Sequence, residues 1–163
     1  MIVVSDTSPV RGLIAIGRTD LLQKLFHKVI IPDAVQQELS RIELLRDSIQ
    51  LFLQQPWVEI KQIAASAEYN TLRKYLDKGE SEAIILAKQL HADLLLMDEN
   101  KGRQLAHGMN LKVLGLIGVL IKAKRSGLLN EIKPLLDELM NEHGFWIKSD
   151  FYQNILNAVG ESK

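Results

Sequence analysis

Short runs of branched aliphatic residues alternate with helical stretches along the whole chain, and that alternation decides the class of fold. Ile2–Ser5 reads as a buried strand, Val29–Ile31 as a second ended by Pro32, and Val58–Ile60 as a weaker third. Leu94–Met97 and Lys112–Leu114 read as the fourth and fifth. Helices are predicted over Pro9–Ile16, Asp20–Phe26, Asp33–Leu53, Ala65–Asp77, Glu80–His91, Lys101–Met109 and Gly115–Ser126. Glu131–Glu142 and Ser149–Val159 complete the chain. Strands that are apolar throughout, each separated from the next by a helix, predict a parallel sheet covered on both faces. The expected class is α/β: three α/β/α layers around a mostly parallel sheet of about five strands. At 163 residues the chain has the length of one domain, 1–163, with the helices of about 130–159 packing on its core. No internal repeat or low-complexity linker interrupts it, and Gln54–Trp57 is read as a loop.

Composition narrows the chemistry. Lysine plus arginine equals aspartate plus glutamate at 20 each, so no net field draws polyanions in, and a nucleic-acid partner would need a local patch or a bound cation. The absence of cysteine excludes disulfides and thiolate metal sites and agrees with a reducing cytosol. MIVVSD turns polar too soon for a signal peptide, and no apolar run approaches the roughly 18 residues of a membrane span. A cytoplasmic protein with no membrane partner is expected.

Four acids then stand out by position. At about 100° per residue, Val35, Leu39, Ile42, Leu45, Ile49 and Phe52 form one helical stripe, and Glu38 falls within it. Glu80 lies on the stripe of Ala83, Ile84, Ala87 and Leu90, whereas Glu82, about 200° further round, points away and is read as a solvent or supporting residue. Asp6 follows the first strand and Asp98 the fourth, so both land at the carboxyl edge of a parallel sheet, where functional groups gather. A carboxylate on a buried face must be neutralised, hydrogen-bonded or bound to a cation.

Each acid also has an ordinary explanation. Asp6, Thr7 or Ser8 before Pro9 makes a good N-cap, and Glu80 after Gly79 suits the positive end of a helix dipole. Glu38 can ion-pair at the core rim. Independent capping, however, does not require four carboxylates at one sheet edge. Oxygen donors without histidine or cysteine suit Mg²⁺ or Mn²⁺, which can activate a water and clamp a phosphoryl oxygen.

Other motifs carry less. His27, His91, His107 and His143 have no paired metal-ligand spacing, and no G-x-S-x-G elbow exists. Gly115-Leu-Ile-Gly118 is read as close helix-to-strand packing. Lys101, Arg103, Lys122, Lys124 and Arg125 either line an RNA groove or form a solvated face. Trp57, Trp146, Phe151 and Tyr152 are read as core or interface anchors, the last three leading into or opening a helix capped by Ser149.

The acids in their settings, Asp6 in VVSDTSPV, Glu38 in IPDAVQQELS, Glu80 in DKGESEAIILA and Asp98 in LLLMDEN, resemble the PIN-domain family of metal-dependent nucleases. The segments IGRTDLLQKLF and VLGLIGVLIKAKRSGLL are similar to a bacterial and archaeal subgroup that includes the VapC-like toxins, encoded beside a small antitoxin. The resemblance spans nearly the whole chain. It implies a PIN-like fold and an endoribonuclease, the toxin of a toxin–antitoxin pair. It also implies Asp6, Glu38, Glu80 and Asp98 as catalytic metal ligands, Ser8 and Glu82 behind them, and RNA, a small antitoxin and a second copy of the chain as partners. Thr7 or Ser8 would hydrogen-bond Asp6 or a water at the site. One departure is Glu80, where toxin-like members commonly carry Asp; the extra methylene moves the oxygens by more than about 1 Å. Two other classes remain: a degenerate PIN-like module that binds RNA or protein without turnover, and a haloacid-dehalogenase-type phosphatase. The second would need an Asp where Ser8 stands.

Overall fold

The computed structural model describes residues 1–162. Five strands, β1 (Val3–Ser5), β2 (Val29–Pro32), β3 (Val58–Lys61), β4 (Leu94–Leu96) and β5 (Val113–Leu114), form one sheet in the order β3-β2-β1-β4-β5. Every pairing is parallel, with Val4 opposite Ile30 on one side and Leu95 on the other. The chain builds outward from β1 to β3, then returns across β1 to lay down β4 and β5. The switch point of the topology therefore lies between the carboxyl ends of β1 and β4.

Successive strand residues feed opposite faces. Val3, Val29, Ile31 and Leu96 join one core, and Val4, Ile30, Leu95 and Met97 the other. This is the three-layer α/β/α arrangement. The first core is closed by α1 (Thr7–Ala15), α2 (Asp20–Phe26), α3 (Asp33–Ser40), α4 (Arg46–Leu53) and α8 (Leu116–Arg125). The last two helices, α9 (Lys133–Glu142) and α10 (Ser149–Ala158), add Leu136, Leu139, Ile155 and Leu156 to it. On the other face lie α5 (Ala67–Leu72), α6 (Lys78–Gln89) and α7 (Asn100–Gly108). No helix of the described residues is long and apolar enough to cross a membrane.

Three expectations change. The helix expected over 33–53 is two, α3 and α4, broken at 41–45. A straight helix of that length would run about 31 Å and carry Ile49 and Phe52 past the sheet. The turn returns both to the core at 1% and 2% exposure and leaves Leu44 99% exposed. The helix expected over 65–77 shortens to α5, whose N-cap Ser66 accepts from the backbone of Glu68 and Tyr69. The helix expected to start at Glu80 starts at Lys78, because Asp77 and not Gly79 is its N-cap. Gly118 does serve packing: a Cβ there would strike Leu114.

Candidate metal centre at the switch point

Asp6 follows β1 in extended conformation and is the N-cap residue of α1 by position, but its side chain does not cap that helix. It is buried at 5% exposure, and its Oδ1 has no hydrogen-bond partner. A buried carboxylate so placed favours its protonated form. Burial is the main force raising its pKa from 3.8 to about 8, and the charges of Glu80, Asp77 and Glu38 push the same way. The capping explanation thus leaves one oxygen of Asp6 unaccounted for.

Glu38 sits on the last turn of α3, half-buried at the rim of the core rather than inside it. Its carboxylate accepts from the Thr7 hydroxyl. It lies against the bare backbone of Gly79, where a Cβ would come within 2.5–2.6 Å of both oxygens. Glu80, in turn, is fixed by a capping box. Its N–H donates to Asp77 Oδ1 at 2.8 Å, and the Asp77 N–H donates to Glu80 Oε1 at 3.1 Å. Burial first, then the Asp77 and Glu99 charges, raise its pKa to about 7.

Asp98 is the best satisfied of the four. Oδ2 accepts from Ser8 at 2.8 Å, and Oδ1 accepts from the Leu116 N–H at 2.7 Å, at the N-terminus of α8. Gly115 allows that approach, since a Cβ there would lie 2.8 Å from Asp98 Oδ1. Thr7 and Ser8 therefore hold Glu38 and Asp98 rather than Asp6, one of the two partners the resemblance implied.

All four acids line one cleft of about 580 Å³, together with Thr7, Ser8, Arg11, Asp77, Glu99, Asn100 and Trp146. Glu38, Glu80 and Asp98 are each held by a different partner, and Asp6 Oδ1 by none. Among the described residues no three acidic or histidine side chains already share a metal-ligating position. Glu82 is not part of the wall. It is buried at 7% exposure, not solvent-facing, and accepts from the Ala34 N–H in the first turn of α3 at 3.1 Å. It supports the helix that carries Glu38.

Several side chains lie elsewhere than expected. Lys122 and Arg125 border a cavity at the amino edge of the sheet, beside Asp93 and Leu94, far from the acids. Lys124 donates to Glu161 and to the Val159 carbonyl, both at 2.7 Å, and Lys101 lies over the Tyr75 ring. Trp57 is a core anchor, edge-on to Phe52, but Trp146 is 83% exposed and Phe151 52%. Sequence reasoning missed Arg11, Asp77 and the location of Trp146. Arg11 lies one helical turn past Ser8, and D-x-x-E over 77–80 is a capping-box signature; both were available signals.

A family model described as PIN domain matches residues 2–161. The chain belongs to the PIN-domain family. No curated protein matches it. Among solved structures, this PIN domain is similar to a PilT N-terminus domain protein from the hyperthermophilic archaeon Sulfolobus solfataricus. The TM-score is 0.55 at 20% identity, over 76% of this chain and 93% of that one, a likeness of fold.

PIN domains are typically nucleases that use divalent metal ions. The donor set here fits such an ion in kind: oxygen ligands only, one of them buried without a partner, and a crowd of carboxylates none of which forms an ion pair among the described residues. Ser8 occupies the place where a phosphatase of the haloacid-dehalogenase type would need a carboxylate, and its hydroxyl is committed to Asp98.

Proposed function

We propose that this PIN domain is a divalent-metal-dependent endoribonuclease that hydrolyses RNA phosphodiesters, and that it is the toxin of a toxin–antitoxin pair. The observation that carries the nuclease reading is Asp6, which has a buried and unpartnered oxygen and lines one cleft with Glu38, Glu80 and Asp98. Those four would hold Mg²⁺ or Mn²⁺. When bound, the ion supplies Lewis acidity for the phosphoryl group and lowers the pKa of an attacking water.

The chain's own residues prepare that chemistry. Ser8 and the Leu116 N–H fix both oxygens of Asp98, Thr7 fixes Glu38, and Asp77 fixes Glu80. With pKa values near 8 and 7, Asp6 keeps its proton at neutrality and Glu80 is about half protonated, so a bound cation would compete with protons at both. A cation held there would release those protons, its two charges taking the place of theirs at the acids.

The test is cleavage of RNA by the purified chain with Mg²⁺ or Mn²⁺. Cleavage abolished by EDTA, and by Asp98→Asn without unfolding, supports the reading; equal cleavage by that variant refutes it. The toxin role predicts a short reading frame abutting this one, whose product binds the chain and stops cleavage. One observation favours a second reading, a degenerate binding module: among the described residues no three of the acids share a metal-ligating position. Calorimetric metal binding without turnover on any RNA would decide for it.

A further inference from the structure

Six carboxylates line the cleft, from Asp6, Glu38, Asp77, Glu80, Asp98 and Glu99, and Arg11 is the one cationic residue among its lining residues. Arg11 is exposed and, among the described residues, forms no ion pair with any of these acids. Its guanidinium lies instead 5.8 Å from the centroid of the Phe145 ring. A guanidinium held over a ring keeps its planar N–H fork available, and that fork matches phosphate oxygens. The next residue along the chain is Trp146, 83% exposed on the same cleft wall. It is shared with an adjoining groove of about 630 Å³ that also contains Ser8, Asp98, Arg103 and Lys148. A fork for phosphate and a flat surface of base size thus stand side by side where the acids end. An apolar protein partner would cover the indole but leave the guanidinium without an acceptor; a nucleotide satisfies both.

We propose that Arg11 and Trp146 are positioning residues for a single-stranded oligonucleotide, Arg11 taking a phosphate that flanks the one to be cleaved and Trp146 stacking an unpaired base beside it. The proposal rests on the nuclease reading for events at the acids, whereas the grip itself is a binding property that stands without turnover. It makes strand state a determinant of specificity, because a base paired within an A-form duplex is not free to stack on a side chain. Both residues act by holding the strand in place. Their loss therefore appears in binding and KM more than in kcat.

The chain's two tryptophans separate cleanly, Trp57 packed on Phe52 and Trp146 in solvent. A fluorescein-labelled oligouridylate is titrated in Ca²⁺ buffer, with anisotropy reporting affinity and tryptophan emission reporting stacking. Wild type is expected to show quenching that a duplex of the same length does not produce. Trp146→Ala should weaken binding by roughly tenfold, within the range of base–aromatic stacking, and Trp146→Phe should recover most of it. Arg11→Gln should weaken binding and reduce the salt slope by about one phosphate contact. Unchanged affinity and quenching in both alanine and glutamine variants would overturn the proposal. So would a spectral change that follows protein concentration instead of oligonucleotide, which would assign the indole to a protein contact. Binding with these signatures but no cleavage under any metal refutes the nuclease reading and leaves the grip intact. Cleavage with unchanged KM in both variants does the reverse.

Discussion

Replacing Asp6 by asparagine should make the metal-free protein more stable in mild alkali while removing its response to divalent cations. In the unfolded chain Asp6 titrates near 3.8, and in the folded chain near 8. Between those values only the folded state holds the proton, so stability is complete below pH 4 and falls as pH rises toward 8. Each pH unit costs up to 1.36 kcal/mol, which makes the loss on the order of 4 kcal/mol by pH 7, an upper limit where water reaches the group. Glu80 contributes in the same direction, screened by its greater exposure. Asparagine has nearly the same shape and never ionises. At about 2–4 °C per kcal/mol for a chain of this size, the variant should melt at most about 5 °C above wild type at pH 5 and about 10–20 °C above it at pH 8. Thermal unfolding from pH 5 to 9, with and without Mn²⁺, measures this directly. Mn²⁺ should stabilise wild type increasingly with pH and leave Asp6→Asn nearly unmoved. A wild-type melting temperature flat across that range, or Mn²⁺ stabilising both proteins equally, would refute the reasoning.

Two substitutions test the supports of the site. Gly79→Ala places a methyl against both Glu38 oxygens, so RNA cleavage should fall at least about tenfold, while improved helix propensity keeps the melting temperature within a few degrees; unchanged cleavage would show that Glu38 is dispensable. Glu82→Ala leaves the Ala34 N–H unpaired and should cost about 1–3 kcal/mol by denaturant unfolding, with Glu82→Gln restoring most of it because its amide oxygen still accepts. A Glu82→Ala protein of full stability that no longer binds Mn²⁺ would instead make Glu82 a ligand.

The layers of the fold were legible because strands buried on both faces read as unbroken apolar runs, and β1, β2 and β4 do. The break between α3 and α4 was not. Residues 41–45 contain neither glycine nor proline, and the turn is imposed by the need to bring Ile49 and Phe52 home at the expense of Leu44. Helical phase placed Glu38 and Glu80 usefully but for an incomplete reason. Residues 81–87 of α6 are all buried, so that helix has no single stripe, and Glu82 is excluded from the cleft by its tie to α3 rather than by exposure to solvent. The pairings Thr7 with Glu38 and Ser8 with Asp98 span 31 and 90 residues, and no local pattern encodes them. Trp146 reaches the acids only because α9 carries the chain back across the first core, which local periodicity does not report.

The most direct test of a cation site built from Asp6, Glu38, Glu80 and Asp98 is anomalous diffraction from a crystal soaked in Mn²⁺. The account predicts a peak at ligand distance from the buried Asp6 oxygen and from at least one more of the four. A fully soaked crystal with no peak in this cleft, or with Asp6 still unligated beside a peak elsewhere, would contradict it.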